Sequence, residues 1–178
     1  MNLTGEILIL TGPPGSGKTT AAQALAREPG SPKVHLHSDD FWHVIKNGAI
    51  APYLPEAHDQ NAVVVDVLAQ AAAGYASGGY FVIVDGIIGP WFLAAFRRIQ
   101  ATIHYVVLRP ALDEAIRRCR DRGGDTLTDP GTITELHRQF SSLGLLERHI
   151  LPVAAQSRKD TLDAVAKAVR SGDFHLSR

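Results

Sequence analysis

The stretch Gly12-Pro13-Pro14-Gly15-Ser16-Gly17-Lys18-Thr19 decides how this chain of 178 residues is to be read. It fits the pattern G-x-x-x-x-G-K-[ST], follows an apolar run from Glu6 to Leu10, and opens a helical pattern over Lys18–Arg27. At this chain's own frequencies of Gly, Lys and Ser plus Thr, chance supplies roughly 0.004 such matches. Glycines let the backbone turn so that successive N–H groups face phosphate oxygens, and the helix N-terminus adds the positive end of its dipole. Gly12, Pro13, Pro14, Gly15, Ser16, Gly17, Lys18, Thr19 and Thr20 are therefore the candidate nucleotide-binding residues. Lys18 is expected to reach the β and γ phosphates, and Thr19 to ligate Mg²⁺.

Outward from this loop, strand and helix patterns alternate without internal repeats or low-complexity tracts. Candidate strands are Glu6–Leu10, Val34–His37, Tyr80–Val84, Thr102–Leu108 and a short one near His149–Val153. Helical patterns run over Lys18–Arg27, Asp59–Ser77, Trp91–Ile99, Leu112–Arg122, Thr132–Ser142 and Thr161–Arg170. Continuously apolar strands such as Phe81-Val82-Ile83-Val84 suit a sheet covered on both faces, which requires helical crossovers. The expectation is an α/β layer sandwich with a parallel sheet, in one domain spanning residues 1–178.

Composition narrows the function classes. Hydrophobic residues make up 45% and charged residues 20%, ordinary soluble usage that excludes disordered, collagen-like and coiled-coil chains. The 18 basic and 18 acidic residues cancel, so no whole-chain field favours nucleic acid or an anionic membrane. They are unevenly spread: residues 1–89 carry 4 basic and 8 acidic side chains, residues 90–178 carry 14 and 10. A single cysteine, Cys119, allows no internal disulfide and suits a cytoplasmic setting. The apolar run before the loop is too short for a signal-peptide core. Val67 to Val84 is 18 residues without a charge, but Gly78-Gly79 breaks it into a buried helix and a strand, and no membrane partner is expected.

In open parallel sheets ligands bind beyond the carboxyl ends of the strands. The third strand ends in Asp85 after four apolar residues, a Walker B pattern that can hold a metal-bound water near the phosphates, although an aspartate there can also simply cap a helix. Past the second strand lies Ser38-Asp39-Asp40-Phe41-Trp42. A hydroxyl nucleophile needs a carboxylate that can accept its proton. On an extended segment Asp39 and Asp40 would point to different sides, one toward the acceptor and the other toward a helix N-terminus or the Mg²⁺ shell.

With these motifs in place, most of the chain resembles the P-loop small-molecule kinases, especially the chloramphenicol phosphotransferase-like, gluconate kinase-like and shikimate kinase-like enzymes. The resemblance implies a three-layer α/β/α P-loop NTPase fold whose five-stranded parallel sheet has the order 2-3-1-4-5. It also implies ATP and Mg²⁺ as cofactors, Asp39 as the catalytic carboxylate, Asp85 as a metal-site residue with Thr19, and a lid region at about residues 112–131. Family lid helices carry arginines four apart. Arg118 and Arg122 fit that spacing and share one helix face, so both can close on the phosphates or the adenine, with Gly123-Gly124 as a hinge. The bland alternative is a solvated basic face beside Asp113, Glu114 and Asp121.

The activity so implied is transfer of the γ-phosphoryl of Mg·ATP to a hydroxyl of a small acceptor. The competing readings are a cytidylate-type nucleoside monophosphate kinase, a polynucleotide 5′-hydroxyl kinase, and, in another class, a non-catalytic NTP-binding module. The charge of the acceptor can be read from the chain. Between Arg27 and Arg97 the only basic residues are Lys33 and Lys46, whereas Asp39, Asp40, Glu56, Asp59 and Asp85 fall there with Phe41, Trp42 and Tyr53. Trp91 and Phe92 follow the third strand. Asp39, Asp40, Trp42, Tyr53 and Trp91 are thus candidate substrate contacts, and an acidic, aromatic wall suits a neutral or cationic acceptor rather than a monophosphate, with nucleic acid not expected as a partner. The eight histidines show no metal-binding spacing, and Cys119 is read as a structural helix cysteine.

Overall fold

Strand β1 (Ile7–Thr11) is buried along its whole length, and this follows from its position at the centre of the sheet. A computed structural model describes residues 3–122, 127–152 and 157–177. In it β2 (Lys33–His37), β3 (Phe81–Gly86), β4 (Ile103–Arg109) and β5 (Ile150–Pro152) join β1 in the order β2-β3-β1-β4-β5, and all four neighbouring pairs are parallel. This is the strand order that the resemblance implied.

Alternation along each strand divides the core in two. Ile7, Ile9, Val82, Val84, Tyr105 and Val107 face α3 (His58–Ser77) and α4 (Leu93–Arg97), meeting Val65, Leu68, Ala72 and Phe96. Leu8, Leu10, Phe81, Ile83, Val106 and Leu108 face α1 (Lys18–Arg27) and α7 (Arg158–Ser171), meeting Ala21, Ala22, Leu25, Val165 and Val169. The continuous apolar runs thus have a helix layer on either side. The charge-free stretch Val67 to Val84 is the last part of α3, a turn with Gly79 at φ 87° and the start of β3. Among the described residues no helix is long and apolar enough to cross a membrane.

Most element ends fall within one to three residues of the sequence reading. The exception with chemical consequence is α2 (Ser38–His43), which begins immediately after β2. Asp39 and Asp40 occupy its first turn and are not on an extended segment. Carboxylates gain there from the unpaired N–H groups, a preference that outweighs continuation of the strand. The helical patterns near Trp91 and Thr132 become a 3₁₀ turn over Pro90–Phe92 followed by α4, and α6 (Pro130–Gln139), which starts after Asp129 has capped it through Thr132 N–H. The glycine hinge at 123–124 and the end of the last strand at Val153 lie outside the described residues.

Candidate functional site

The strand order sets the carboxyl ends of β2, β3 and β1 side by side. His37 stands opposite Asp85, and Asp85 opposite Leu10, one residue before the phosphate loop's approach through Thr11. The Thr11 hydroxyl accepts a hydrogen bond from Ile88 N–H at 2.9 Å, fastening the chain beyond β3 to the end of β1.

Gly12, Gly15 and Gly17 adopt φ of 145°, 75° and 87°, the region where only glycine is unstrained. At two of them space forbids a side chain as well. A Cβ on Gly12 would lie 2.1 Å from the Leu108 carbonyl oxygen, and one on Gly15 would lie 2.4 Å from that of Ala115. The loop is therefore wedged between the end of β4 and the helix α5 (Leu112–Arg122). Inside it the Ser16 hydroxyl is fully buried with no protein partner, the state expected of a donor kept for a ligand oxygen. Burial pushes the Lys18 ammonium below the ordinary lysine range. Asp39 and Asp85 oppose that shift and Arg122 adds to it. Glycines that admit backbone to a ligand, an orphaned hydroxyl and a half-buried cation together fit a nucleotide's phosphates.

Asp85 is fully buried, and three groups converge on it. The Thr19 hydroxyl donates to Oδ2 at 2.6 Å, His35 Nε2 lies 2.5 Å from Oδ1, and His37 Nδ1 lies 3.1 and 3.2 Å from the two oxygens. Burial, the largest single influence, favours the neutral acid. The hydrogen bonds from His35, His37 and Thr19 together outweigh it and hold the carboxyl well below the usual carboxylate range. The bond to Asp85 raises His37 above the ordinary histidine value, burial opposes, and the charges of Asp85, Asp39 and Asp40 add to the rise. The other ring nitrogen of His37 is 3.6 Å from Asp39 Oδ2. A path of polar contacts therefore runs from Thr19 through Asp85 and His37 to Asp39.

The sequence reading missed His35 and His37. The signal was there: alternate positions on β2 share a face, and the 2-3 strand adjacency puts that face beside the end of β3. Asp85 is correspondingly withdrawn from the acceptor wall to which its charge was assigned, being enclosed by the two imidazoles and Thr19.

A cavity of about 560 Å³ opens beside the loop, bounded by Gly15, Ser16, Gly17 and Thr20 on one side and by Arg117, Arg118 and Arg122 of α5 on the other. Ser157, Arg158 and Thr161 at the start of α7 complete it. Arg118 and Arg122 thus share the cavity as their spacing predicts. Arg118 Nε donates to Glu114 at 2.6 Å and its Nη1 lies 3.5 Å from the Gly15 carbonyl oxygen, whereas Arg117 is paired with both Glu114 and Asp121. Cys119 is buried behind this face, and burial raises its thiol pKa against the opposing charges of Arg122 and Lys18.

Of the candidate substrate contacts, Asp39, Asp40, Tyr53 and Trp91 are exposed. Trp42 is half-buried. Its indole N–H donates to Asn61 Oδ1 at 2.7 Å, and Asn61 Nδ2 donates to the Pro52 carbonyl at 2.8 Å, which ties the segment after α2 to α3. Trp91 stacks edge-on against Phe92 and Phe140. Three basic residues near the candidate acceptor side are engaged elsewhere. Lys33 donates to the carbonyls of Glu28 and Ser31, Lys46 to that of His43, and Arg98 is paired with Asp66 on α3.

Residues 8–132 match a protein-family model described as an AAA domain, AAA_18. No curated protein matches the sequence. Among solved structures, a gluconokinase from Sinorhizobium meliloti superposes with a TM-score of 0.67 at 17% identity, over 95% of this chain and 94% of the other. A sugar kinase from a Janibacter species gives 0.66 at 18% identity, over 93% and 94%. A chain of the Pnkp1/Rnl/Hen1 RNA repair complex gives 0.60 at 20% identity over 78% of this chain, which spans 45% of that chain's length. At these identities the likeness is one of fold, the P-loop NTPase fold with sheet order 2-3-1-4-5.

Proposed function

The chain belongs to the AAA_18 family of AAA domains, and from that premise we propose that it transfers the γ-phosphoryl group of ATP to a hydroxyl of a small, neutral or cationic acceptor, with Asp39 as the base. The observation that carries this reading is the path from Thr19 through Asp85 and His37 to Asp39, which links the phosphate loop to an exposed carboxylate at the mouth of the site. This extension beyond the phosphate loop favours the phosphotransferase over a domain that only holds nucleotide.

Phosphoryl transfer leaves little covalent chemistry to the protein, so its work is positioning and charge. Lys18, the loop N–H groups and the Ser16 hydroxyl would hold the phosphates. Thr19 and Asp85 would hold Mg²⁺, which when bound supplies divalent charge against the phosphate oxygens. His37 steadies both Asp85 and Asp39 from between them. Asp39 takes the proton that the acceptor hydroxyl gives up, and Arg118 and Arg122 face the phosphates from α5.

The acceptor class follows from the charges and rings assigned to the acceptor side by the sequence. An anionic acceptor needs a guanidinium or ammonium to hold it, and Lys33, Lys46 and Arg98 are each bound to other groups. Exposed Asp39, Asp40, Tyr53 and Trp91 instead suit a neutral or aminated hydroxyl compound.

Asp39→Asn keeps size and hydrogen bonding but removes the proton acceptor. Turnover should fall by about 10² or more with ATP affinity nearly unchanged. A larger loss in Asp40→Asn would move the base to its neighbour. Lys18→Ala should abolish ATP consumption with an unchanged circular dichroism spectrum. The acceptor is sought by steady-state assay of neutral and aminated alcohols beside CMP, UMP, AMP, shikimate and a 5′-hydroxyl RNA end. Efficient turnover of a monophosphate or of the RNA end would overturn the charge assignment.

A further inference from the structure

At the opposite end of the sheet from the phosphate loop, three potential metal ligands meet that the histidine spacing did not disclose. Glu6 immediately precedes β1, and His104 is the second residue of β4. Leu8 is in register with His104, so alternation puts Glu6 and His104 on the same face, one step apart diagonally. The third member comes from the C-terminal tail. After α7 the chain turns at Gly172, with φ 75°, and Phe174–Leu176 pairs antiparallel with the start of β4. Tyr105 N–H donates to the Phe174 carbonyl at 2.9 Å and Leu176 N–H to that of Ile103 at 2.8 Å, which sets His175 directly across from His104.

The side chains converge. His104 Nε2 lies 2.6 Å from Glu6 Oε2, and the rings of His104 and His175 are 4.6 Å apart between centroids. One ligand atom from each residue lies within 4.8 Å of those of the other two, the one such group among the described residues. His104 is only 1% exposed, and its second nitrogen, Nδ1, is buried without a protein partner. Buried polar atoms are ordinarily satisfied. The nitrogen turned toward Glu6 is Nε2, the atom of this ring open to a ligand shared with Glu6.

We propose that Glu6, His104 and His175 form a binding site for a zinc-class divalent metal ion. Two imidazoles and one carboxylate are a three-ligand set that Zn²⁺ takes in its common four-coordinate geometry, with water in the remaining position. Mg²⁺ and Ca²⁺ prefer sets made wholly of oxygen. A cavity of about 190 Å³, lined by Thr102, Ile103, His175 and Ser177 among others, opens next to His175 and gives access from solvent. The ligands come from β1, β4 and the tail, so the ion clips the end of the chain to the centre of the sheet. This role is independent of phosphoryl transfer, and its test does not read activity.

The purified chain is titrated with Zn²⁺ by calorimetry in millimolar Mg²⁺, which keeps the phosphate-loop site from competing, and its thermal unfolding is followed with and without EDTA. One Zn²⁺ per chain and an EDTA-reversible rise in melting temperature are expected. His175→Ala and Glu6→Gln, at an exposed and a half-buried position, avoid disturbing the core as His104 replacement would. Each should weaken Zn²⁺ binding about ten-fold or more and remove the rise. In the wild-type chain Co²⁺ should develop the visible bands of a four-coordinate site, and both variants should lack them. Absence of Zn²⁺ uptake by the wild-type chain, or uptake unchanged in both variants, would overturn the proposal.

Discussion

His37 occupies a place that a single substitution can interrogate. Its Nδ1 meets Asp85 and its Nε2 faces Asp39 at 3.6 Å, so one ring contacts both the buried carboxylate and the exposed one. His37→Gln retains a donor for Asp85 but removes the titratable ring and the second contact. A histidine that positions Asp39 should, on this change, lose about ten-fold in turnover at saturating ATP, with a smaller effect on ATP affinity. Were the ring only a structural partner of Asp85, the melting temperature would fall while turnover of the folded fraction stayed at the wild-type value. Steady-state kinetics and thermal unfolding on the same preparation separate the two.

At the scale of elements, α5 is built to present cations to the phosphate loop. Its buried face is Ala115 and Cys119, and Ala115 packs so closely on Gly15 that no side chain fits there. Arg118 and Arg122, each three positions beyond Ala115 and Cys119, line the cavity beside that face. Arg118 is already aimed by Glu114 and the Gly15 carbonyl, whereas Arg122 lies at the end of the described helix. Arg118→Ala should therefore weaken ATP binding as well as turnover. Arg122→Ala should lower turnover more than affinity, as a group does when its charge matters most in the transition state. Separate measurement of nucleotide affinity and turnover for each variant checks the division. Wild-type behaviour of both at saturating ATP would reduce the helix to a solvated basic face.

At the scale of the whole molecule, stability should depend on pH through histidines buried by the tail. His149 is fully buried between β4 and the tail, its Nδ1 against the Tyr105 carbonyl at 2.9 Å, and its ring beside Tyr105 and Phe174. Burial lowers its pKa, the Tyr105 carbonyl opposes, and Arg148 adds to the lowering. Below about pH 6.5 the unfolded chain binds a proton there that the folded chain refuses, so stability falls as pH falls from the unfolded value toward the depressed folded one. Burial depresses His104 too, with Glu6 opposing, and adds to the same slope. His149→Phe keeps an aromatic ring in the site and should flatten part of the dependence. Denaturant unfolding between pH 5 and 8 in EDTA measures it, and an unchanged slope would contradict the assignment. In the core, Leu68→Ala should cost about 2–5 kcal/mol, because Leu68 is wholly enclosed between α3 and the sheet.

Local chemistry sufficed for much of this protein. The phosphate loop was legible because its function needs backbone: glycines at positive φ leave a pattern that no side-chain substitution can imitate. The strands were legible because a sheet covered on both faces demands unbroken apolar runs, and their alternation with helical periods implies parallel crossovers. The aspartates after β2 were legible as candidate groups, but their conformation was not. Whether Ser38-Asp39-Asp40 continues a strand or starts a helix depends on the free N–H groups of the first turn, and the packing that rewards the helix lies on α3 and β3. What only the tertiary structure decided are the groupings of residues far apart in the chain. Asp85 meets His35 and His37 because β2 and β3 are neighbours. His104 meets Glu6 and His175 because the tail pairs with β4 on the flank that the short β5 leaves free. Such meetings carry no local period, since they depend on strand order and register, which the sum of all the packing energies selects at once.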